Sequence, residues 1–547
     1  MDSKIISLDE YRDRVKGAWA GQFMGVSYGY PVEFHTHSFM GESAVPAWRE
    51  AAILEGYNQD DIYLSAAAVE VYEKFGLAVS SRTAAIELYN KDFEYWNGSN
   101  NDVLARGYAP PLSGYPFGRG NLTTLYPDGN SYQCGISFAG LIAPFMPALS
   151  NKYAETFAEI NGYGDGIYGA QFIAAMYAEA FFEKDLRKLI DAGLAVIPED
   201  SWTALAVKDA VRWFDEGKPI ESAHVLFMNK YWYGEEYNWI TWPYGVSDPR
   251  TDGINLDAKA CAAFVVFGLL YGKGDFAEST KYTVRCGNDT DSTAAATAGI
   301  LATTMGFGNI PDQYKSGLLP DQKIKYTRYT IDTLVEACVN LAKQTVTDNG
   351  GSVGVYQGKE VLVIPVSAHR VTVGEYQCSR NPGPIEQTLF SDAERAQMRL
   401  IIDPGFERHN GNSLANGWRS TLPAQVSVEY YTAGKARTGL ANALIQSSTA
   451  FQDVYTTIDT APNSIYELSV YVMANKGFAG ENIKLFARNT NSVVLREAEF
   501  KAPGAWTRIS LSFNTMNYNA VQIGVGFTGK NNIDTLRVDD IEISKAK

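Results

Sequence analysis

The stretch Cys286 to Pro311, CGNDTDSTAAATAGILATTMGFGNIP, decides how the first part of the chain is read. Asn288-Asp289-Thr290-Asp291-Ser292 forms an acidic turn, and AAATAGILATT (Ala294 to Thr304) behind it reads as a helix of almost entirely small residues. Carboxylates at a helix N-terminus are favoured by the macrodipole and by free N–H groups, so capping is the ordinary account. Small side chains let neighbouring backbones approach the helix closely, either around a central buried site or in plain tight packing.

A second cluster has the same form. Asn58-Gln59-Asp60-Asp61 precedes LSAAAVEVYEKF (Leu64 to Phe75), again an acidic turn opening a helix. Two such clusters brought together in one domain would repel unless a cation lay between them. Hard oxygen donors with no Cys or His nearby select Mg2+, Mn2+ or Ca2+ over zinc. The pair therefore predicts a divalent site.

Around these motifs, residues 8 to 345 are patterned as helices, for example Tyr168 to Phe182, with apolar residues three and four apart. Near residue 346 the pattern changes to short β-branched runs with Gly breaks, VTDNGGSVGVYQGKEVLVIPVSAHRVTV, and SRNPGP (Ser379 to Pro384) leads onward. From about residue 400, alternating strands recur between Asn/Gly/Pro turns: SIYELSVYVMA, NIKLFAR, TRISLSFNT, AVQIGVGF and TLRVDDIEIS. The expectation is a multidomain chain: an all-α domain over 1–345, a β-rich connecting segment over 346–399 and an all-β jelly-roll sandwich over 400–547.

Composition narrows the function. The 547 residues carry 47 Lys and Arg against 62 Asp and Glu, a net charge of −15. Residues 401–547 hold 14 basic and 13 acidic residues, so the helical part alone carries −16. No basic run offsets this, which excludes nucleic acid as a partner. The longest apolar run, Ala260 to Gly272, is too short to span a membrane. Five cysteines without CxxC spacing indicate neither a zinc module nor a disulfide scaffold. The opening MDSKIISLDEYRDR has no apolar signal core, which fits a cytoplasmic chain or one whose secretion signal has been removed. A GxSxG elbow is absent, which disfavours serine-hydrolase chemistry. His35 and His37 flank Thr36 just after Glu33, and a solvated loop is the plainer expectation for them.

Several ordered motifs resemble the ADP-ribosylglycohydrolase family. Arg14 to Gly21 (RVKGAWAG), with Gly25, Gly29, Pro31, Val32 and Glu33, is similar to its N-terminal signature. Gln59-Asp60-Asp61 stands where the family has Thr-Asp-Asp-Thr, and Gly287 to Ser292 resembles its second metal motif. DGIYGAQFIAAMYAEAF (Asp165 to Phe181) and LLYGKGDF (Leu269 to Phe276) resemble segments of one bacterial branch. The resemblance implies an all-α domain with one or two Mg2+ (or Mn2+) ions in a cleft, hydrolysing the bond at the anomeric carbon of an ADP-ribosyl group. Asp60, Asp61, Asp289, Asp291 and the Ser292 hydroxyl would be metal ligands, with the Gln59 carbonyl as a further oxygen donor. Glu33 and Asp61 would be the catalytic carboxylates. Gln59, Ile62 and Val26 depart from the family pattern.

Turn-like segments offer candidate substrate contacts in Asp128, Asn130, Asp165, Asp252 and Asn255. The aromatic stretch YWYGEEYNWITWPYG (Tyr231 to Gly245), including Trp239, offers stacking faces for a sugar or base, although such aromatics are ordinarily just buried. The C-terminal part, with DPGFE (Asp403 to Glu407), NGW (Asn416 to Trp418), GLANAL (Gly439 to Leu444) and VDDIEI (Val538 to Ile543), resembles a carbohydrate-binding jelly roll of the galactose-binding-like type. That resemblance implies a structural Ca2+ near Glu407 and Asp540. Tyr430, Tyr431, Trp418 and Trp506 are candidate sugar platforms, the two tryptophans being better suited to the core.

The reading is thus a metal-dependent glycosidic-bond hydrolase acting on a carbohydrate or ADP-ribosyl substrate, with a glycan-binding-like module that points to an extracytoplasmic (periplasmic or secreted) setting. Its alternative is a non-catalytic, degenerate binding protein that keeps the cluster as a receptor.

Overall fold

The computed structural model describes residues 3–91, 93, 103–116, 127–130, 132–234, 257–379, 381–385, 388–401, 403–406, 413–414, 417–430, 435–438, 441–531 and 533–546. Two compact units result, one running to Arg395 and one from Ala396.

The first unit is helical: α1 (Leu8–Gly29), α2 (Asp60–Phe75), α3 (Ser81–Lys91), α4 (Ser137–Leu141), α5 (Pro147–Ala158), α6 (Asp165–Glu179), α7 (Leu186–Leu194), α8 (Trp202–Asp215), α9 (Ile220–Phe227), α10 (Ala258–Tyr271), α11 (Phe276–Arg285), α12 (Thr290–Met305) and α13 (Ile331–Asp348). The starts follow local chemistry. Ser7 Oγ accepts from Glu10 N at 3.1 Å at the head of α1, with Asp9 and Glu10 in the first turn. Both α2 and α12 stop at a glycine of positive φ, Gly76 and Gly306, each at +80°.

α12 is the central helix. Every residue from Thr290 to Thr304 is buried, so the helix has no solvent-facing side. Two of its hydroxyls back-bond within the helix, Thr293 Oγ1 donating to Asp289 O (2.8 Å) and Thr303 Oγ1 to Gly299 O (2.8 Å).

The unit is not purely helical. β1 (Ser3–Ser7), β2 (Ser352–Tyr356) and β3 (Lys359–Pro365) form an antiparallel sheet in the order β1-β3-β2, with Ile5 opposite Val363. The SKIIS stretch before α1 is a strand because it finds its pairing partner more than 350 residues later, information that no local periodicity carries.

The second unit is an all-β sandwich of two five-stranded antiparallel sheets. It contains β4 (Trp418–Arg419), β5 (Val426–Tyr430), β6 (Ala441–Gln446), β7 (Phe451–Asp459), β8 (Ile465–Ala474), β9 (Ile483–Asn489), β10 (Val494–Phe500), β11 (Thr507–Asn514), β12 (Ala520–Thr528) and β13 (Thr535–Lys545). The orders are β10-β9-β12-β7-β4 and β11-β8-β13-β6-β5. Alternate residues such as Leu468, Val470 and Val472 of β8, and Val521, Ile523 and Val525 of β12, fill the space between the sheets. Trp418 belongs to this core, its ring tilted against that of Phe406 (4.8 Å between centroids) and its Nε1 donating to Asp403 O at 2.9 Å.

Candidate metal centre

The site begins with four glycines. Gly17, Gly21, Gly25 and Gly29 lie on one face of α1 at four-residue spacing. A Cβ on each would fall 2.7, 2.5, 2.4 and 2.3 Å from the carbonyl oxygens of Ala302, Ala298, Ala294 and Thr290. As the number rises along α1 it falls along α12, so the two helices run antiparallel with their backbones touching. The C-terminal end of α1 therefore sits on the first turn of α12, and Thr290 Oγ1 donates to Gly29 O at 2.9 Å.

A 3-10 turn, Tyr30–Val32, then delivers Glu33. Its neighbours are pinned to the acidic turn: Phe34 N donates to Asn288 O and Asn288 N to Thr36 O, both at 2.8 Å. Asn288 itself has φ +63°, a left-handed conformation that Asn tolerates better than most residues. Ligand atoms of Glu33, Asp289 and Asp291 consequently lie within 4.8 Å of one another.

The α2 turn reaches the same place. Burial pushes the Asp61 carboxyl well above the usual range, and Asp60, Asp289 and Glu33 push it further, while a hydrogen bond from Ser292 opposes them. Burial, then Asp289 and Asp60, raises Glu33 to about 8. Asp291 is raised by burial first, then by Asp289, Glu33 and Asp61. The two motifs, some 230 residues apart, form one electrostatic cluster in which the carboxylates raise one another.

A hard divalent cation fits these residues. Asp61 Oδ2 is buried and has no hydrogen-bond partner among the described residues, and the metal-facing atoms offered are oxygens. Buried carboxylates in mutual contact cost several kcal/mol each unless a counter-charge is present. Gln59 caps α2 through its backbone carbonyl, and its side-chain amide donates to Glu55 Oε1 at 3.3 Å. Ile62 and Val26 are fully buried core residues.

Asn130 is 2% exposed and does not face solvent. Its Nδ2 donates to Asp289 Oδ2 at 2.6 Å and contacts Cys261 Sγ at 3.1 Å. Asp128 and Asp165 lie in a second buried polar group. Asp128 Oδ1 accepts from Ser379 Oγ, and Asp165 accepts from Thr203 N (2.7 Å) and Tyr376 Oη (2.8 Å). Lys259, 2% exposed, pairs with Asp257 beside them. Trp239, Asp252 and Asn255 lie outside the described residues.

Of the remaining candidates, His35 is exposed, whereas His37 is half-buried, with Nδ1 against Asn288 Oδ1 and its ring 5.5 Å from that of Trp232. His37 thus braces the acidic turn, and its place four residues after Glu33 is the sequence signal for this. Tyr231 is buried and donates to Asp209 Oδ2 at 2.9 Å, a packing role. In the sandwich, Glu407 and Tyr431 lie outside the described residues. Asp540 has Oδ2 on Arg437 Nη1 and Oδ1 accepting from Thr438 Oγ1 at 2.5 Å, so both carboxylate oxygens already meet protein donors.

Comparison with known proteins follows the same division. The family model described as ADP-ribosylglycohydrolase matches residues 7–348. A solved structure titled ADP-ribosylglycohydrolase-related protein complex is 15% identical with a TM-score of 0.40, covering 61% of this chain and 99% of that one. The C-terminal sheets match carbohydrate-binding modules. One is TmCBM61, solved with beta-1,4-galactotriose (16% identity, TM-score 0.22, 27% of this chain and 99% of that one). Another is the CBM22-1 xylan-binding domain from Paenibacillus barcinonensis Xyn10C (19% identity, TM-score 0.21, 26% and 92%). No curated protein matches the chain.

Proposed function

The chain belongs to the ADP-ribosylglycohydrolase family, and from that premise we propose that its helical unit is a divalent-metal-dependent hydrolase. It cleaves a glycosidic bond at an anomeric carbon, of an ADP-ribosyl group or another glycoside, while the sandwich holds it on a glycan in an extracytoplasmic setting. The observation that carries the reading is the convergence of Glu33, Asp289 and Asp291 within 4.8 Å at the foot of a buried helix, beside Asp61 Oδ2, which has no hydrogen-bond partner among the described residues.

Asp60, Asp61, Asp289, Asp291 and the Ser292 hydroxyl would hold one or two Mg2+ or Mn2+ ions, with Gln59 contributing an oxygen. When bound, the metal supplies Lewis acidity and a more acidic water. The chain's own groups do the rest. Glu33, arriving from the end of α1, would carry the proton to or from the leaving-group oxygen. Asp61 would orient the attacking water. The α1–α12 backbone contact keeps these groups in register, which matters because small misplacements of reacting groups cost large factors in rate.

The near-neutral sandwich suits an uncharged glycan, since no field of either sign has to be overcome. A panel of glycosides and ADP-ribosylated targets, assayed with and without chelator, tests the reading. Chelator-sensitive release of reducing sugar or ADP-ribose from one member, lost in Asp289→Asn/Asp291→Asn, is expected. Binding of metal without turnover anywhere on the panel would favour the receptor alternative.

A further inference from the structure

The family match ends at residue 348, but the helical unit continues to Arg395. Beyond β3, three contacts fasten the chain to residues 163–168. Tyr376 Oη donates to Asp165 Oδ2 (2.8 Å), Gln377 N donates to Tyr168 Oη (2.9 Å) and Gln377 Oε1 accepts from Tyr163 Oη (2.8 Å). Gly164, at φ +55°, leaves room for this, since a Cβ there would lie 2.2 Å from Gln377 O. Two residues on, Ser379 is 1% exposed and its Oγ donates to Asp128 Oδ1.

Asp128 opens the short turn that carries Asn130. The turn is held at several points: Tyr163 N donates to Pro127 O (2.8 Å), Ala258 N to Asp128 O (2.9 Å) and Gln133 N to Asn130 O (2.6 Å). From it, Asn130 Nδ2 reaches Asp289 Oδ2 at 2.6 Å. A continuous buried path thus runs from Ser379 through Asp128 and Asn130 to a carboxylate of the acidic cluster.

We propose that Ser379 is a positioning residue for the metal centre: a segment beyond the family's own domain fixes the Asp128–Asn130 turn, and this turn orients Asp289 as a ligand. The inference rests on the metal reading of the Glu33–Asp289–Asp291 cluster. Groups that hold a metal ligand in place are commonly worth one to two orders of magnitude in metal affinity. Ser379 has this role although its own hydroxyl touches no ligand.

The test is Mn2+ affinity of the full chain by titration calorimetry, with the electron paramagnetic resonance spectrum of bound Mn2+ as a second readout. Ser379→Ala should weaken binding about tenfold and broaden the spectrum. Asn130→Ala should weaken binding at least as much, and Ser379→Ala added to it should cost less than about twofold more, because the path is already cut. Unchanged Mn2+ affinity in Ser379→Ala, or a full additive loss in the double variant, would overturn the proposal. Should the alanine variant not fold, Ser379→Thr and Ser379→Val share a shape and differ by the hydroxyl. Retained affinity in the first and loss in the second is expected, and equal affinity in both overturns the proposal. Wild type that binds no Mn2+ would instead remove the metal reading, and this inference with it.

Discussion

Gly29 and Thr290 are in backbone contact: a Cβ on Gly29 would stand 2.3 Å from Thr290 O, and Thr290 Oγ1 donates to Gly29 O at 2.9 Å. This one contact joins the end of α1 to the start of α12 and thereby places Glu33 beside Asp289. The acidic cluster is a consequence of how closely two helices pack.

Substituting alanine in that face should therefore be costly. In an exposed helix Gly→Ala gains about 1 kcal/mol. At Gly25, the new Cβ would lie 2.4 Å from Ala294 O, which is backbone and cannot swing aside. Overpacking of this kind costs about 1–3 kcal/mol or more, so Gly25→Ala should lower unfolding free energy in urea. A stabilised Gly25→Ala would refute the close approach of α1 to α12.

Removing charge from the cluster should act in opposite directions with and without metal. Wild type should gain thermal stability on adding Mg2+ or Mn2+, by about 2.7 kcal/mol at a hundredfold excess over Kd. Asp289→Asn/Asp291→Asn should show no such gain. In chelator the variant should match or exceed wild type, because two mutually repelling buried carboxylates have become neutral. Differential scanning fluorimetry in both buffers reads the two signs.

His224 should make the helical unit acid-sensitive. It is buried against Phe264 (5.2 Å between centroids), its Nε2 lies 2.8 Å from Cys286 O, and burial lowers its pKa to about 4. Below the unfolded value of about 6.5 the unfolded chain binds the proton that the folded chain refuses, so stability falls as pH drops from 6.5 towards 4. The loss is up to about 3 kcal/mol. His224→Phe should have lower stability at pH 7, where Cys286 O loses its donor, and a flatter profile between pH 4 and 6.5. Equal slopes in the two proteins would contradict the assignment.

Cutting the chain at the family boundary should destabilise the helical unit. Val361, Leu362 and Ile364 of β3 are buried, and each is worth about 2 kcal/mol of burial. A fragment of residues 1–395 should melt cooperatively by circular dichroism, whereas residues 1–348 should aggregate or melt broadly. Identical melting of both would mean that β3 and the segment after it contribute nothing.

Much of the candidate site was legible in local sequence. Asp60-Asp61 and Asp289-Thr290-Asp291-Ser292 each open a helix, and acidic turns before small-residue runs have few uses that pair so well. The β-strands from Ile465 to Lys545 were equally readable, because alternation of apolar and polar residues is a local property. Local sequence offers Asn130 as a substrate contact, because a turn Asn looks the same whether it faces a cleft or a carboxylate. Its partner, Asp289, is 159 residues away, and no spacing rule carries that distance.

By itself, then, the sequence determined the helical and β-sandwich halves, the two acidic turns and the resemblance that joins them, since each rests on residues within one or two helical turns or strand repeats of one another. Only the tertiary structure decided that the α1 glycines face α12, that β1 pairs with β3, and that Ser379, in a stretch legible only as a linker, is buried on Asp128. Such relations depend on which surfaces meet when distant segments pack, and steric contact and hydrogen-bond geometry leave no periodic mark along the chain.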